Sequence, residues 1–148
     1  MPMPKAIQRT EAVLARRVFA GLLCAAVVAL ASPAWAGSYL DRATLLVTHA
    51  TEDADYLRNH LSDTELARVV HRIAVARVRA AKKMTVPKEV EQAHPHLLLM
   101  LENYERAAEA AQDGSSQRFF VYQQRARDEE KNFRGILKQL GWPLPKVR

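Results

Sequence analysis

Residues 38–61 read SYLDRATLLVTHATEDADYLRNHL, and within them Leu40, Ala43, Val47, Ala50, Ala54, Leu57 and Leu61 recur at alternating steps of three and four. Such steps return to one face of an α-helix, so the segment predicts a first amphipathic helix with Ser38 as its N-cap. Immediately after it, Ser62 followed by Glu65 has the form of a capping box, and Leu66, Val69, Ile73, Ala76 and Ala80 carry the same rhythm to about Met84. A second helix that starts almost where the first ends implies a tight antiparallel hairpin or one bent rod, and the capping box favours the hairpin.

The rest of the chain repeats the theme. Thr85-Val86-Pro87 opens a longer connection, and His94-Pro95 reads as a new helix start with proline in its first turn. Leu97, Leu101, Tyr104, Ala108 and Ala111 form the third stripe, which runs to Asp113-Gly114. Ser115 or Ser116 then caps a fourth helix striped by Phe119, Tyr122, Ala126, Phe133, Ile136 and Leu140, ahead of Gly141-Trp142-Pro143. Glycine and proline fall at the joints, with Gly135 alone inside a helical pattern. The fold class expected is all-α, an antiparallel four-helix bundle over residues 37–148.

Residues 1–36 have a different character. Lys5, Arg9, Arg16 and Arg17 stand against Glu11 alone, Val18 to Ala31 is apolar, and Ala34-Trp35-Ala36 places small residues at −3 and −1 before Gly37. This is the pattern of a cleaved export signal, and its apolar run is shorter than the ~20 residues that span a bilayer. The membrane is therefore met only through the signal, before cleavage, and the mature protein is expected to be periplasmic or secreted. Arg16-Arg17-Val18-Phe19 has some of the form of a twin-arginine signal, with the general secretory route as the default. Leu22 and Leu23 are too bulky to precede a lipidated cysteine at Cys24.

Cleavage at Ala36 leaves about 112 residues, enough for one core, and lowers the formal charge from +6 to about +3 by removing four basic residues and one acidic one. The remaining charge is interspersed, with no arginine stripe and no interleaved aromatics, which argues against nucleic acid as a partner. The chain's single cysteine, Cys24, leaves with the signal, and with it any disulfide, thiolate metal site or covalently attached haem. The domain must cohere by apolar packing alone.

The stretch Val78-Arg79-Ala80-Ala81-Lys82-Lys83-Met84-Thr85-Val86-Pro87-Lys88 runs an alanine-rich, basic helix end into a Pro-Lys loop. With the four-helix pattern, the export signal and the mature length, it resembles the soluble b-type cytochromes of the bacterial periplasm. The resemblance covers the mature chain and implies architecture and compartment. That family holds haem between a methionine early in its first helix and a histidine late in its last. Here the first predicted helix has no methionine and no histidine follows His96, so electron transfer does not carry over.

Among polar residues, His49, His60 and His71 lie 11 apart but fall off the apolar stripes, as solvated surface histidines do. Glu91-x-x-His94 has the spacing that pairs a carboxylate with an imidazole on one helix face, and His94-x-His96 offers a second ligand. Glu91, His94 and His96 are thus the metal-ligand candidates, without the second Glu-x-x-His that ferritin-like sites require. Glu129 and Glu130 interrupt the fourth stripe: either they are partly buried against a basic partner such as Arg77 or Arg72 on the second helix, or the helix is rotated so that both remain wet. No nucleophile has a convergent base, so no catalytic residue is assigned.

Two apolar blocks exceed what one core face needs: Leu97-Leu98-Leu99-Met100-Leu101 and Phe119-Phe120-Val121-Tyr122. Leu98, Leu99, Met100, Phe120 and Val121 are therefore the expected partner surface. The function that follows is a non-enzymatic exported bundle, free of cofactors, that acts by binding or assembly, as a homodimer or on an envelope protein. The competing expectation is a periplasmic module for a divalent metal or non-covalent haem.

Overall fold

Four helices and one short 3-10 turn make up the computed structural model, which describes residues 32–145: α1 (Ser32–Arg58), α2 (Thr64–Lys82), the turn Lys88–Val90, α3 (His94–Gln112) and α4 (Ser116–Gln139). The described residues contain no strand, and Ala36–Arg148 forms one compact unit. The basic region, the apolar run and Cys24 of the expected signal lie outside the described residues, whereas Ala34, Ala36 and Gly37 fall in the first two turns of α1. Helix α1 starts six residues ahead of Ser38, which is thus interior and not a cap.

On α1 the stripe holds, with Ala43, Val47, Ala50, Ala54 and Leu57 buried and Tyr39 taking the place expected of Leu40. The chain then turns through Asn59–Asp63 on short backbone hydrogen bonds, His60 N–H to the Leu57 carbonyl and Asp63 N–H to the His60 carbonyl, each 2.9 Å. Asp63, not Ser62, caps α2: its Oδ1 accepts from the Leu66 N–H at 2.9 Å. A carboxylate at that point satisfies an orphan donor and also meets the positive end of the helix dipole.

Helix α2 departs furthest from expectation. Its buried face is Ala67, Val70, Ala74, Val78 and Ala81, whereas Val69 and Ile73 are 45% and 41% exposed. The whole helix is rotated by about one residue, so that a stripe of small side chains meets the neighbouring alanines of α1 and α3.

Side-chain contacts fix which helices are neighbours. Along α1, Thr51 and Asp55 reach Glu130 and Arg127 of α4, rising numbers meeting falling ones. Likewise His71 and Lys82 of α2 meet Gln112 and Glu102 of α3. Asp53 on α1 bonds Arg77 on α2 at 2.6 Å.

Two apolar clusters fill the interior. One gathers Tyr39, Val47, Leu97, Met100, Leu101, Tyr104, Phe133 and Leu137, with Trp142 and Leu144 packed against it; the other gathers Leu57, Ala67, Val70, Ala107, Ala111 and Phe119. Full burial of a Leu or Phe is worth about 1.5–3 kcal/mol, which accounts for cohesion without a crosslink.

Helices α3 and α4 end alike. Gly114 (φ 72°) and Gly141 (φ 84°) are left-handed, and the Ser115 and Trp142 N–H groups reach back 2.8 Å to the Ala110 and Leu137 carbonyls. These are Schellman caps, which glycine enters without the steric cost other residues meet. Gly135, by contrast, sits inside α4 with open space where a Cβ would go. Gly135→Ala should therefore raise the unfolding free energy by about 0.5–1 kcal/mol, and Gly114→Ala should lower it by about 1–2 kcal/mol. Urea unfolding followed by helical circular dichroism measures both.

Candidate functional site

The polar side chains of the bundle are engaged with one another along the helix seams. Asp55 of α1 accepts from the Arg127 guanidinium at 2.5 Å and from the Gln123 amide at 3.1 Å. Gln123 is the one buried polar residue among those described, and its Nε2 also lies 3.4 Å from the Ala54 carbonyl. One turn along, Thr51 shares long 3.4 Å contacts with the Tyr104 hydroxyl and with Glu130, whose other oxygen accepts from Arg134 at 2.8 Å. Burial chiefly raises the Tyr104 pKa, with Thr51 opposing and the Glu130 charge adding. No buried side-chain polar atom among the described residues lacks a partner.

This corrects the partners expected for the two glutamates. Arg77 is taken by Asp53, and the carboxylates of α4 turn instead to α1, to α3 and along α4 itself: Glu130 to Thr51 and to Arg134 one turn on, Glu129 to His96 Nδ1 at 2.7 Å.

The metal-ligand candidates are not brought together. His94 meets the Tyr39 hydroxyl through Nδ1 at 3.1 Å, His96 is turned to Glu129, and Glu91 is exposed in the connection. Among the described residues no three His, Cys, Asp or Glu side chains form a metal-holding group. Of the other histidines, His49 lies 3.3 Å from Glu52, His60 meets the Tyr56 carbonyl at 2.8 Å, and half-exposed His71 contacts Gln112.

The five apolar candidates divide. Leu99, Phe120 and Val121 remain 44–46% exposed. Met100 is fully buried, because on α3 it lies within one turn of Leu97, Leu101 and Tyr104 and fills the first cluster; Leu98 is half-buried against that cluster. Leu99 belongs to the end of the molecule built around Tyr39 and Leu97, and Phe120 and Val121 follow Phe119 in the other cluster. Further large apolar side chains stand exposed on the other two helices: Leu45 and Tyr56 on α1, Val69 and Ile73 on α2. Leu45 also edges an open cleft of about 500 Å³ between α1 and Pro143-Leu144-Pro145. Reading one stripe per helix hid the α2 pair; the second stripe at the same spacing, Ala67-Val70-Ala74-Val78-Ala81, was the available signal.

No helix among the described residues is long and apolar enough to cross a membrane. Compared with protein-family models, with curated proteins and with solved structures, the chain has no match.

The Tyr39–His94 contact gives a pH signature. Burial raises the Tyr39 pKa to about 12, so its hydroxyl stays protonated and shares a 3.1 Å hydrogen bond with His94 Nδ1. Burial also lowers the His94 pKa. Below about pH 6.5 the unfolded chain then binds a proton that the folded chain resists, so stability falls as pH drops from about 6.5 toward the depressed value. Urea unfolding at pH 7.5, 6.5 and 5.5 should show this loss, and His94→Gln should show a shallower one.

Proposed function

We propose that this chain is an exported, non-enzymatic helical-bundle protein that works by binding or assembly, without a cofactor. In this reading residues 1–36 are an export signal removed after Ala36, and the mature protein is periplasmic or secreted. Its four helices pack antiparallel; the opposed numbering of the α1–α4 and α2–α3 contacts supports that arrangement. The partner is a second copy or an envelope protein.

The observation that carries the reading is the exposure of Leu99, Phe120 and Val121 beside a core that is already filled by Leu97, Met100, Leu101 and Phe119. Large apolar side chains left outside a complete core are what an association surface requires. The polar seams, in which Asp53, Asp55, Glu102, Glu129 and Glu130 are held by neighbours, contribute register between helices.

Protein recovered from the native envelope should begin at Gly37 on N-terminal sequencing; an intact Met1 would end the export reading. Leu99→Lys should weaken association by about tenfold or more while helicity and melting stay nearly unchanged, since covering such a side chain is worth about 1.5–3 kcal/mol. Sedimentation and thermal melting of this variant decide the matter, and a destabilised protein with unaltered association would place Leu99 in the core.

A further inference from the structure

The outward stripe of α2, Val69, Ile73, Ala76 and Ala80, keeps the alternating four-three spacing by which helices pack on one another, and exposed Arg72 and Arg79 flank it, while Leu66 ahead of it is partly buried against the second cluster. Beside it, the outward face of α1 carries exposed Leu45 and Tyr56 with Asp41 and Glu52 among them, Glu52 lying 3.3 Å from His49 and Arg42 exposed on the same helix. The Asp53–Arg77 bond joins the two helices side by side, so the hairpin presents the exposed carboxylates Asp41 and Glu52 on α1 next to the exposed arginines Arg72 and Arg79 on α2.

We infer that this hairpin face docks on the same face of a second copy of the chain, about a two-fold axis parallel to the helices. Two face-to-face dimers are open to such a surface. An axis across the helices lays α2 on α2, with Arg72 and Arg79 opposed to their own copies. An axis along them lays α1 on the partner's α2, acid on base, and charge selects it. That axis also preserves height along the bundle. Since Asp53 is level with Arg77, Tyr56 meets the partner's Ile73 and Glu52 meets the partner's Arg79. Each contact occurs twice per dimer. The inference rests on the assembly reading above only in that the chain associates with itself; it places the second copy on the α1–α2 face, apart from Leu99, Phe120 and Val121 of α3 and α4, so Leu99→Lys leaves this dimer intact.

Sedimentation equilibrium of the full chain, over a hundredfold range of concentration, tests it. Glu52→Arg and Arg79→Glu should each weaken the dimer by about tenfold or more, because like charges then face each other at two symmetric places. The double variant should recover most of the loss, and added salt should weaken the parent. Ile73→Glu should abolish the dimer while melting stays unchanged, the side chain being exposed in one copy. A chain that is monomeric throughout, or a dimer indifferent to both reversals, or reversals that the double variant fails to rescue, overturns the inference. Association lost on Leu99→Lys but indifferent to the reversals keeps the assembly reading and ends this one. A monomer that sediments with phosphatidylglycerol vesicles through Arg72 and Arg79 assigns the stripe to a lipid surface instead.

Discussion

Alanine sets how closely these helices approach, and most other features follow from that spacing. Ala43, Ala50 and Ala54 on α1, Ala67, Ala74 and Ala81 on α2, and Ala107, Ala108, Ala110 and Ala111 on α3 are all buried. Small side chains let helix axes come near, and the distance between them is decided by what stands at the contact. The volume that remains is filled from few places: Leu97, Met100, Leu101 and Tyr104 on α3, Phe119, Phe133 and Leu137 on α4, and Tyr39 on α1. A core packed to the density of an organic crystal has no room for a second set of large side chains facing these. Val69 and Ile73 are outside for that reason, and not because the helix lacks an apolar face to bury.

The same constraint explains what was legible in the sequence. The helix limits near Gly114, Gly141, Pro87 and Pro95 came through, because these residues act locally: a left-handed residue or a missing N–H ends or starts a helix whatever surrounds it; the start of α1, six residues ahead of Ser38, did not. The α1 stripe was legible because that helix has one regular set of apolar positions, and on α3 the expected Leu97, Leu101, Tyr104, Ala108 and Ala111 are all buried. Helix α2 has two interleaved sets, and hydrophobicity favours the set with Leu66, Val69 and Ile73. Choosing the other requires the volume of the facing helices, which is a property of the pair. Met100 was misplaced for a related reason, since five consecutive apolar residues leave the orientation of α3 to its neighbours. The cap at Asp63 in place of Ser62 is a one-residue difference between two competent capping side chains.

Charged residues illustrate the limit more sharply. That Glu129 and Glu130 would need partners followed from their place in the α4 stripe; which partners they found depended on which helices are adjacent. Arg77 is held by Asp53 across the α1–α2 seam, and the α4 carboxylates meet Thr51, Arg134 and His96 instead. The Glu91, His94 and His96 spacing was likewise a true feature of the sequence. Once α3 begins at His94, the two imidazoles point to different neighbours, Tyr39 and Glu129, since residues two apart on a helix do not face the same way.

A core that closes on alanine has a further consequence for how such a protein associates. Helices whose large β-branched side chains are excluded from the core carry them outward at the spacing of a helix-packing seam, so the surface inherits an interface pattern from the rule that built the interior. On α2 that pattern is bordered by arginine and on α1 by carboxylates, and a salt-bridge rim of this kind adds little affinity by itself. Its effect is on orientation: apolar contact favours any partner helix, whereas opposed charge disfavours every alignment but one. In the proposed dimer, packing inside the bundle supplies the contact, and the charges of the α1–α2 hairpin supply the choice of how two copies would meet.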